Sequence, residues 1–250
     1  MKNVNLKSEK NALIFLVILI LFVNYPYIDS FLKNSFEGAE YGFVERVIDG
    51  DTLVINGTSV RLLGINSPEK GDFGSSLALE FLSNKTLGKE VKLVYGKEKY
   101  DLYKRKLAYV FVGIENVNLE SVKNGYSNFY FPSGKDKYYS KFKGAWESCL
   151  VENVNLCEKS SENCLILKDW DTKGQRVLVK NNCSKNLNIT GWSVKDEGRK
   201  KYVFSEKVIS PSEEVALTSE DWKETYVWTS SGDSIFIRDN FGKLVFWRSY

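Results

Sequence analysis

Two short apolar strands joined by Asn56-Gly57 constrain the fold of this chain more than any other feature. The run, residues 47–69, reads VIDGDTLVINGTSVRLLGINSPE. Because Asn and Gly both adopt positive φ readily, this dipeptide predicts a two-residue hairpin turn. An ideal turn of this kind pairs Thr52 with Arg61. Asp51 and Arg61 would then lie on opposite faces, unless a bulge intervenes or Asp51 lies beyond the paired region.

Polar groups collect at both ends of this hairpin. Asp49 and Asp51 precede its first strand, Arg61 lies in its second strand, and the segment 64–69 carries an amide, a hydroxyl and a carboxylate. Each has an ordinary structural explanation, because Asp-Gly-Asp forms turns by itself and a strand arginine can extend to solvent. The residues alone leave a turn and a functional site as alternatives.

The chain contains no histidine among its 250 residues. Without imidazole it cannot use Ser-His-Asp or Cys-His triads, histidine zinc sites or histidine-dependent phosphodiesterase chemistry. Its formal net charge of +3 is too small to identify a polyanionic partner. Any catalysis must use carboxylates, arginine, lysine, tyrosine, cysteine or a bound metal.

The first half of the chain mixes strands with helices. Alternating strands at 89–96 and 105–113 lie among three segments of helical pattern, at 75–88, 118–131 and 135–155. This order predicts a small barrel with packed helices.

The second half contains strands only. The polar segment 157–164, CEKSSENC, marks the boundary, so we expect one domain at 40–158 and another at 163–250. Several short strands over about 90 residues predict a β-sandwich for the second domain.

An apolar run lies near the N-terminus, behind three lysines. The run is unbroken from Ala12 to Val23 and extends less cleanly to Ile28. It indicates export, because twelve apolar residues suit a signal segment and seventeen just span a bilayer. No small-residue cleavage site follows closely, so residues 1–30 are expected to form an uncleaved membrane anchor with the remainder outside the cell. A cleaved signal and a secreted protein are the alternative.

Four cysteines all lie in the second half of the sequence. In an exported protein an even count indicates two disulfides, with three possible connectivities. A zinc site is the alternative, but the spacings contain no C-x₂-C pair. The four are Cys149, Cys157, Cys164 and Cys183.

The motifs VIDGDTLVI, VRLLGINSPE and YDLYKRKLAYVFV, in this order, resemble the staphylococcal nuclease (thermonuclease) family. The resemblance covers roughly residues 42–156. It implies an α+β OB-fold barrel with packed helices, calcium as cofactor, and hydrolysis of DNA and RNA. The products implied are 3′-phosphates.

The resemblance also implies roles for individual residues. Asp51, with Asn66 and the carbonyl of Ser67, is implied to bind calcium, a hard cation that prefers oxygen ligands. Arg61 and Arg105 are implied to contact the scissile phosphate, where a guanidinium can hold two oxygens together. The implied general base is Glu69, which would activate the attacking water.

One position departs from the family pattern. The family has an aspartate where this chain has Asn66, which keeps an oxygen ligand but loses a negative charge, so we expect weaker calcium binding. Tyr103, Tyr130 and Phe131 lie near positions that the family uses for the nucleotide, and they could stack on bases. Core packing is the alternative, at least as strong for Phe131.

The second half resembles the lamin tail domain, an all-β immunoglobulin-like sandwich. The resemblance rests on Gly191-Trp192 entering a strand, on the segment 231–233, and on a hairpin at 239–242. We expect Trp192 to be a core residue. No cluster of carboxylates suggests catalysis here, so the domain is expected to bind an envelope or protein ligand or to act as a spacer.

Together these features predict a membrane-anchored extracellular nuclease with an accessory domain and a DNA or RNA substrate. A non-catalytic nucleic-acid-binding or envelope-binding module on the same folds is the alternative. In a third possibility, the second domain is an adhesion module and the nuclease activity is secondary.

Overall fold

A computed structural model of the chain describes residues 6–25 and 39–250. The chain separates into two compact units, Met1–Glu40 and Tyr41–Tyr250. The described part of the first unit contains helix α1, Leu6–Val23. Within the described residues, no helix has both the length and the apolar character needed to cross a membrane. Parts of the predicted anchor, residues 1–5 and 26–30, lie outside the described residues.

The second unit begins with a closed barrel of five strands. Strands β1, β2 and β3 form an antiparallel meander, and β5 and β6 continue the sheet on the other side of β1. The parallel pairing of β3 with β6 closes the barrel. The strands of this half are β1 (Glu40–Asp49), β2 (Thr52–Ile55), β3 (Thr58–Leu62), β4 (Gly64–Asn66), β5 (Glu90–Tyr100), β6 (Lys106–Val112), β7 (Glu115–Asn116) and β8 (Asn128–Tyr130).

The predicted hairpin is confirmed. Asn56 and Gly57 adopt φ of 46° and 71°, and Thr52 pairs with Arg61 as the ideal turn requires. Asp51 lies immediately before β2, outside the paired region. This placement is one of the two that allow Asp51 to approach Arg61.

Three helices pack on the barrel: α2 (Ser75–Thr86), α3 (Val117–Lys123) and α4 (Tyr139–Glu152). The prediction of one helix over 118–131 was wrong in its second half, because the chain leaves α3 at Gly125, with φ of 68°, and then forms β8 against β4. The closed barrel with its helices fits the predicted OB-fold.

Large apolar side chains of the barrel and helices share one core. Phe142 and Trp146 of α4 are fully buried in it, as their helical spacing predicts. Two residues from the second half of the chain, Phe236 and Leu244, belong to the same core. The second domain, residues 163–250, which we call the tail, is therefore packed against the barrel through apolar contacts.

The second half consists of strands, as predicted. They are β9 (Leu165–Asp171), β10 (Arg176–Asn181), β11 (Leu187–Asn188), β12 (Ser193–Lys195), β13 (Lys201–Val203), β14 (Val208–Ile209), β15 (Glu214–Thr218), β16 (Ser234–Arg238) and β17 (Leu244–Ser249).

These strands form a three-stranded sheet, β15-β10-β9, a four-stranded sheet, β13-β12-β16-β17, and the short pair β11-β14. Val177 of the first sheet and Val194 of the second belong to one apolar core, which also contains Trp192. Trp192 is thus a core residue, as expected.

The cysteines form two disulfides, Cys149–Cys157 and Cys164–Cys183. The first ties α4 to the short 3₁₀ helix Asn155–Cys157, and the second lies within the strand-only half. This resolves the connectivity that the sequence left open. Within the described chain, the only cluster of three or more Cys, Asp or Glu side chains close enough to share a metal ion contains Cys164 and Cys183, whose sulfurs are already bonded to each other.

Candidate active site

The centre of the candidate site is a buried ion pair at the open end of the hairpin. Oδ2 of Asp51 lies 3.2 Å from Nη2 of Arg61. Asp51 is 3% exposed and Arg61 is 7% exposed. A buried charge needs a partner, because an unpaired one carries a large desolvation cost. Asp51 and Arg61 therefore each supply the opposite charge that the other needs.

The Arg61 guanidinium is oriented by backbone carbonyls of its own domain. Nη1 donates to the carbonyl of Leu62 at 2.8 Å, and Nη2 donates to that of Ile65 at 2.9 Å. Nη2 also lies 3.4 Å from Oδ1 of Asn66. These contacts hold a permanently charged, planar group in one orientation, as recognition of a tetrahedral anion requires.

Ser67 binds the same oxygen of the Asp51 carboxylate that contacts Arg61. Its backbone N–H donates to Oδ2 of Asp51 at 2.8 Å, and its hydroxyl donates to the same oxygen at 3.0 Å. The segment after β4 is thereby folded back onto the hairpin. The structure thus brings together four of the predicted residues, Asp51, Arg61, Asn66 and Ser67.

Asp49 is a further member of this group that the predicted site residues did not include. Its Oδ1 accepts the backbone N–H of Asp51 at 3.0 Å. Burial, followed by the negative charge of Asp51, raises the pKa of Asp49. Negative charge at two neighbouring carboxylates favours a nearby cation. The Asp-Gly-Asp motif was the sequence signal for this residue.

The donor set suits a hard cation. Asp49 and Asp51 offer carboxylate oxygens, and the adjoining segment offers the amide oxygen of Asn66 and the carbonyl of Ser67. Calcium prefers oxygen ligands of these kinds. The residues present therefore fit the ion that the resemblance implies.

The side chain of Asn66 contacts the second half of the chain. Its Nδ2 donates to the carbonyl of Gly198 at 2.7 Å and lies 3.3 Å from that of Glu197. Nδ2 of Asn128 donates to the same Glu197 carbonyl at 2.9 Å. No local sequence pattern predicts these contacts, because the residues lie more than 65 positions apart.

Glu69 is also in contact with this part of the tail. Its Oε1 lies 2.8 Å from Nε of Arg199, and the two side chains are 55% and 58% exposed. Three residues further on, Asp72 pairs with Lys201 at 2.5 Å. The predicted general base is therefore engaged by a cation of the tail.

Arg105 lies immediately before β6, the strand that pairs with the strand of Arg61. Its Nε donates to Oδ2 of Asp101 at 2.7 Å. Its guanidinium carbon lies 5.5 Å from the ring centroid of Tyr103, which is largely exposed. Arg105 and Tyr103 thus form a local group with Asp101, separate from the contacts of Arg61.

Tyr130 and Phe131 lie near the Asn66 segment but differ in their surroundings. Burial, followed by the charge of Asp196, raises the pKa of Tyr130, and the charge of Arg61 opposes this shift. Phe131 packs edge-on against Tyr139 and Phe142, with centroid distances of 5.3 and 5.6 Å. Its contacts are those of a residue at the margin of the core, which was the stated alternative.

Comparisons with known proteins place the barrel among nucleases. A family model described as staphylococcal nuclease homologue matches residues 59–157. The thermonuclease of Staphylococcus intermedius is 31% identical over 173 residues, which cover 62% of this chain and 100% of that protein. The thermonuclease of Staphylococcus hyicus is 30% identical, over 58% of this chain and 90% of its own length.

A much longer protein is also similar to part of this chain. Endonuclease YhcR of Bacillus subtilis is 34% identical over 131 residues, which cover 44% of this chain but only 11% of that protein. The likeness to this relative therefore concerns a domain and not the whole relative.

The acidic residues beside the Asn66 contact allow a prediction about stability. Burial, followed by the charge of Asp233, raises the pKa of Glu197 from 4.5 to about 8. Glu197 loses its proton at a lower pH in the unfolded chain than in the folded chain. The free energy of unfolding that Glu197 contributes therefore falls as the pH rises from 4.5 to about 8. Glu197→Gln should remove that fall, measured as the free energy of unfolding in denaturant at several pH values.

The control is Glu206→Gln, an exposed glutamate of the same domain. Both variants keep Asp196, whose pKa burial raises to about 7, and Lys195, whose pKa burial lowers to about 8. Both variants therefore keep these two titrating groups, so their titration does not distinguish the variants. Equal pH slopes for Glu197→Gln and the control would contradict the prediction.

Proposed function

The chain belongs to the family of staphylococcal nuclease homologues and carries a nuclease domain, and we propose that this domain hydrolyses DNA and RNA with calcium to leave 3′-phosphates. The observation that carries the proposal is the buried Asp51–Arg61 pair with Ser67 bound to the same carboxylate. This arrangement places an oriented guanidinium beside a set of oxygen donors. A phosphodiester needs both, because negative charge builds on its non-bridging oxygens during attack.

Calcium would be held by Asp51, Asn66 and the carbonyl of Ser67, with Asp49 close by. When bound, the ion supplies positive charge to the phosphate. Asn66 replaces a family aspartate, so we expect the affinity for calcium to be lower than with two carboxylates at these positions.

Glu69 is the proposed general base. It takes a proton from the attacking water, the new oxygen bond forms at phosphorus, and the bond from phosphorus to the 5′-oxygen breaks. Arg61, and Arg105 immediately before the neighbouring strand β6, would stabilise the charge on the phosphate oxygens. The exposed ring of Tyr103 is available for stacking on a base, and Tyr130 and Phe131 are the other proposed nucleotide contacts.

For the second domain we propose an immunoglobulin-like sandwich of the lamin tail type. Its support is that the two larger sheets contribute to one apolar core. An experimental structure in which these sheets do not face each other would contradict this. We propose that the domain binds an envelope or protein ligand.

We also propose that the protein is exported, either anchored to the membrane or secreted. The apolar run Ala12–Val23 behind lysines supports export, and so do two disulfides, which persist in oxidising compartments.

The full chain should digest single-stranded and double-stranded nucleic acid when calcium is present and should not digest it with a chelator. Glu69→Gln should lower turnover by about 10²-fold or more, because general-base assistance is typically worth this much. Gel assays and end-group analysis for 3′-phosphates provide the measurement. Binding without cleavage in calcium would instead support the non-catalytic module.

Lysine substitutions test the two arginines. Arg61→Lys and Arg105→Lys should each lower kcat by about 10²-fold while KM changes far less, because lysine keeps the charge but lacks the planar fork. Arg46→Lys, on the exposed face of β1, is the matched control. If Arg105→Lys keeps normal turnover while Arg61→Lys does not, the second phosphate contact lies at Lys104 or Lys106.

Localisation can be tested by fractionation of cells that express the full chain. The anchored form should sediment with membranes and should become soluble when residues 1–30 are deleted. A shortened protein in the medium would support the cleaved signal. A cytosolic protein with reduced cysteines would contradict export altogether.

A further inference from the structure

A loop of the tail lies directly on the proposed active site. We name residues 196–200, between β12 and β13, the covering loop; its sequence is Asp-Glu-Gly-Arg-Lys. Its backbone carbonyls contact Asn66 and Asn128, and its arginine contacts Glu69. The loop therefore contacts Glu69, the proposed general base, and binds the amide nitrogen of Asn66, whose oxygen is a proposed calcium ligand.

The contact with Asn66 depends on the amide at that position. Nδ2 donates to the carbonyl of Gly198 at 2.7 Å, and Asn66 is 2% exposed. An aspartate here would direct a carboxylate at two carbonyl oxygens, with no proton to share. The departure from the family pattern therefore suits docking of the covering loop.

Arg199 acts on the base itself. A cation 2.8 Å from the Glu69 carboxylate occupies one of its oxygens, which is then less available to accept a proton from a water. The neighbouring pair of Lys201 with Asp72 holds the same segment of the barrel domain. Both pairs join the tail to the loop that follows β4.

The covering loop has a defined conformation of its own. Oδ1 of Asp196 accepts the backbone N–H of Lys200 at 2.9 Å, and Oδ1 of Asp233 accepts that of Glu197 at 3.2 Å. Nζ of Lys195 donates to the carbonyls of Asp196 and Gly198. The loop is thus a preformed turn whose outer carbonyls and arginine face the barrel.

We propose that the covering loop is an autoinhibitory latch, which covers Glu69 and the Asn66 side of the proposed active site and must move aside for cleavage. This inference rests on the proposed nuclease function. The exposed ion pairs of Arg199 and Lys201 contribute little free energy and can open reversibly, and water or substrate can replace the hydrogen bonds that Asn66 and Asn128 donate to the loop. A latch of this strength reduces activity without abolishing it.

The decisive variant is Arg199→Ala, compared with Arg176→Ala. Arg176 is a matched control because it is an exposed arginine of the same domain that pairs with Asp169 at 2.8 Å. Both variants remove one positive charge. If these arginines only attract polyanions, both variants should bind nucleic acid more weakly. If Arg199 holds the latch closed, Arg199→Ala should bind nucleic acid more tightly and Arg176→Ala should not.

Two quantities should be measured in calcium: kcat/KM on single-stranded DNA, and the affinity for a cleavage-resistant phosphorothioate oligonucleotide by fluorescence anisotropy. We expect Arg199→Ala to raise both by about two- to fivefold, the range that an exposed pair can account for. In a Glu69→Gln background, Arg199→Ala should leave the oligonucleotide affinity almost unchanged, because the partner is already lost. A fall in affinity on Arg199→Ala would identify Arg199 as a phosphate contact and overturn the latch.

A second variant opens the loop by steric pressure. A Cβ at Gly198 would already contact Cε2 of Tyr130 at 3.4 Å and would crowd Oδ2 of Asp196 at 3.1 Å. The two further methyl groups of valine need more room than this, so Gly198→Val should displace the loop. Gly144→Val is the control, because a Cβ there meets no neighbouring atom within 4 Å. Gly198→Val should raise affinity and rate in the same direction as Arg199→Ala.

The two readouts separate failure of the latch from failure of the proposed function. If no variant cuts nucleic acid but Arg199→Ala and Gly198→Val bind the oligonucleotide more tightly, the nuclease proposal fails and the latch remains. If the wild type cuts nucleic acid and neither variant changes rate or affinity, the latch fails and the nuclease remains.

Discussion

The ion pair of Asp51 and Arg61 is the interaction on which the site depends. A guanidinium that is 7% exposed is stable only if its charge is matched, and here one carboxylate oxygen and two carbonyls match it. The hairpin register makes the ion pair possible, because Asp51 immediately precedes Thr52, the residue of β2 that pairs with Arg61. The Asn-Gly turn therefore determines the chemistry at the far end of the hairpin.

The hydrogen bonds that order this site also occupy polar groups that a substrate or a cation would need. Ser67 donates two hydrogen bonds to Asp51, and Asn66 donates to carbonyls of the tail, so several polar groups of the site are already satisfied. A substrate or cation must replace some of these partners. Buried polar groups are costly when unpaired, which makes a second domain that pairs with Asn66 stabilising in the absence of substrate.

Local patterns in the sequence predicted local structure well. The hairpin, its register, two of the three helices and the burial of Trp192 all follow from short-range signals. The helix predicted over 118–131 was half wrong, because pairing of β8 with β4 overrode the helical pattern there. The covering loop could not be predicted, since Asn66 and Gly198 are 132 positions apart and no periodicity encodes their contact.

The tail meets the barrel through two contacts of different physical character. Trp146 packs on Phe236 and Trp247 of the tail, with centroid distances of 5.5 and 6.2 Å, inside a shared apolar core. The covering loop instead meets the barrel through a few hydrogen bonds and exposed ion pairs. Burial of aromatic rings contributes more free energy than exposed pairs. Opening of the site is therefore expected as a local movement of the loop, while the aromatic contact keeps the two domains together.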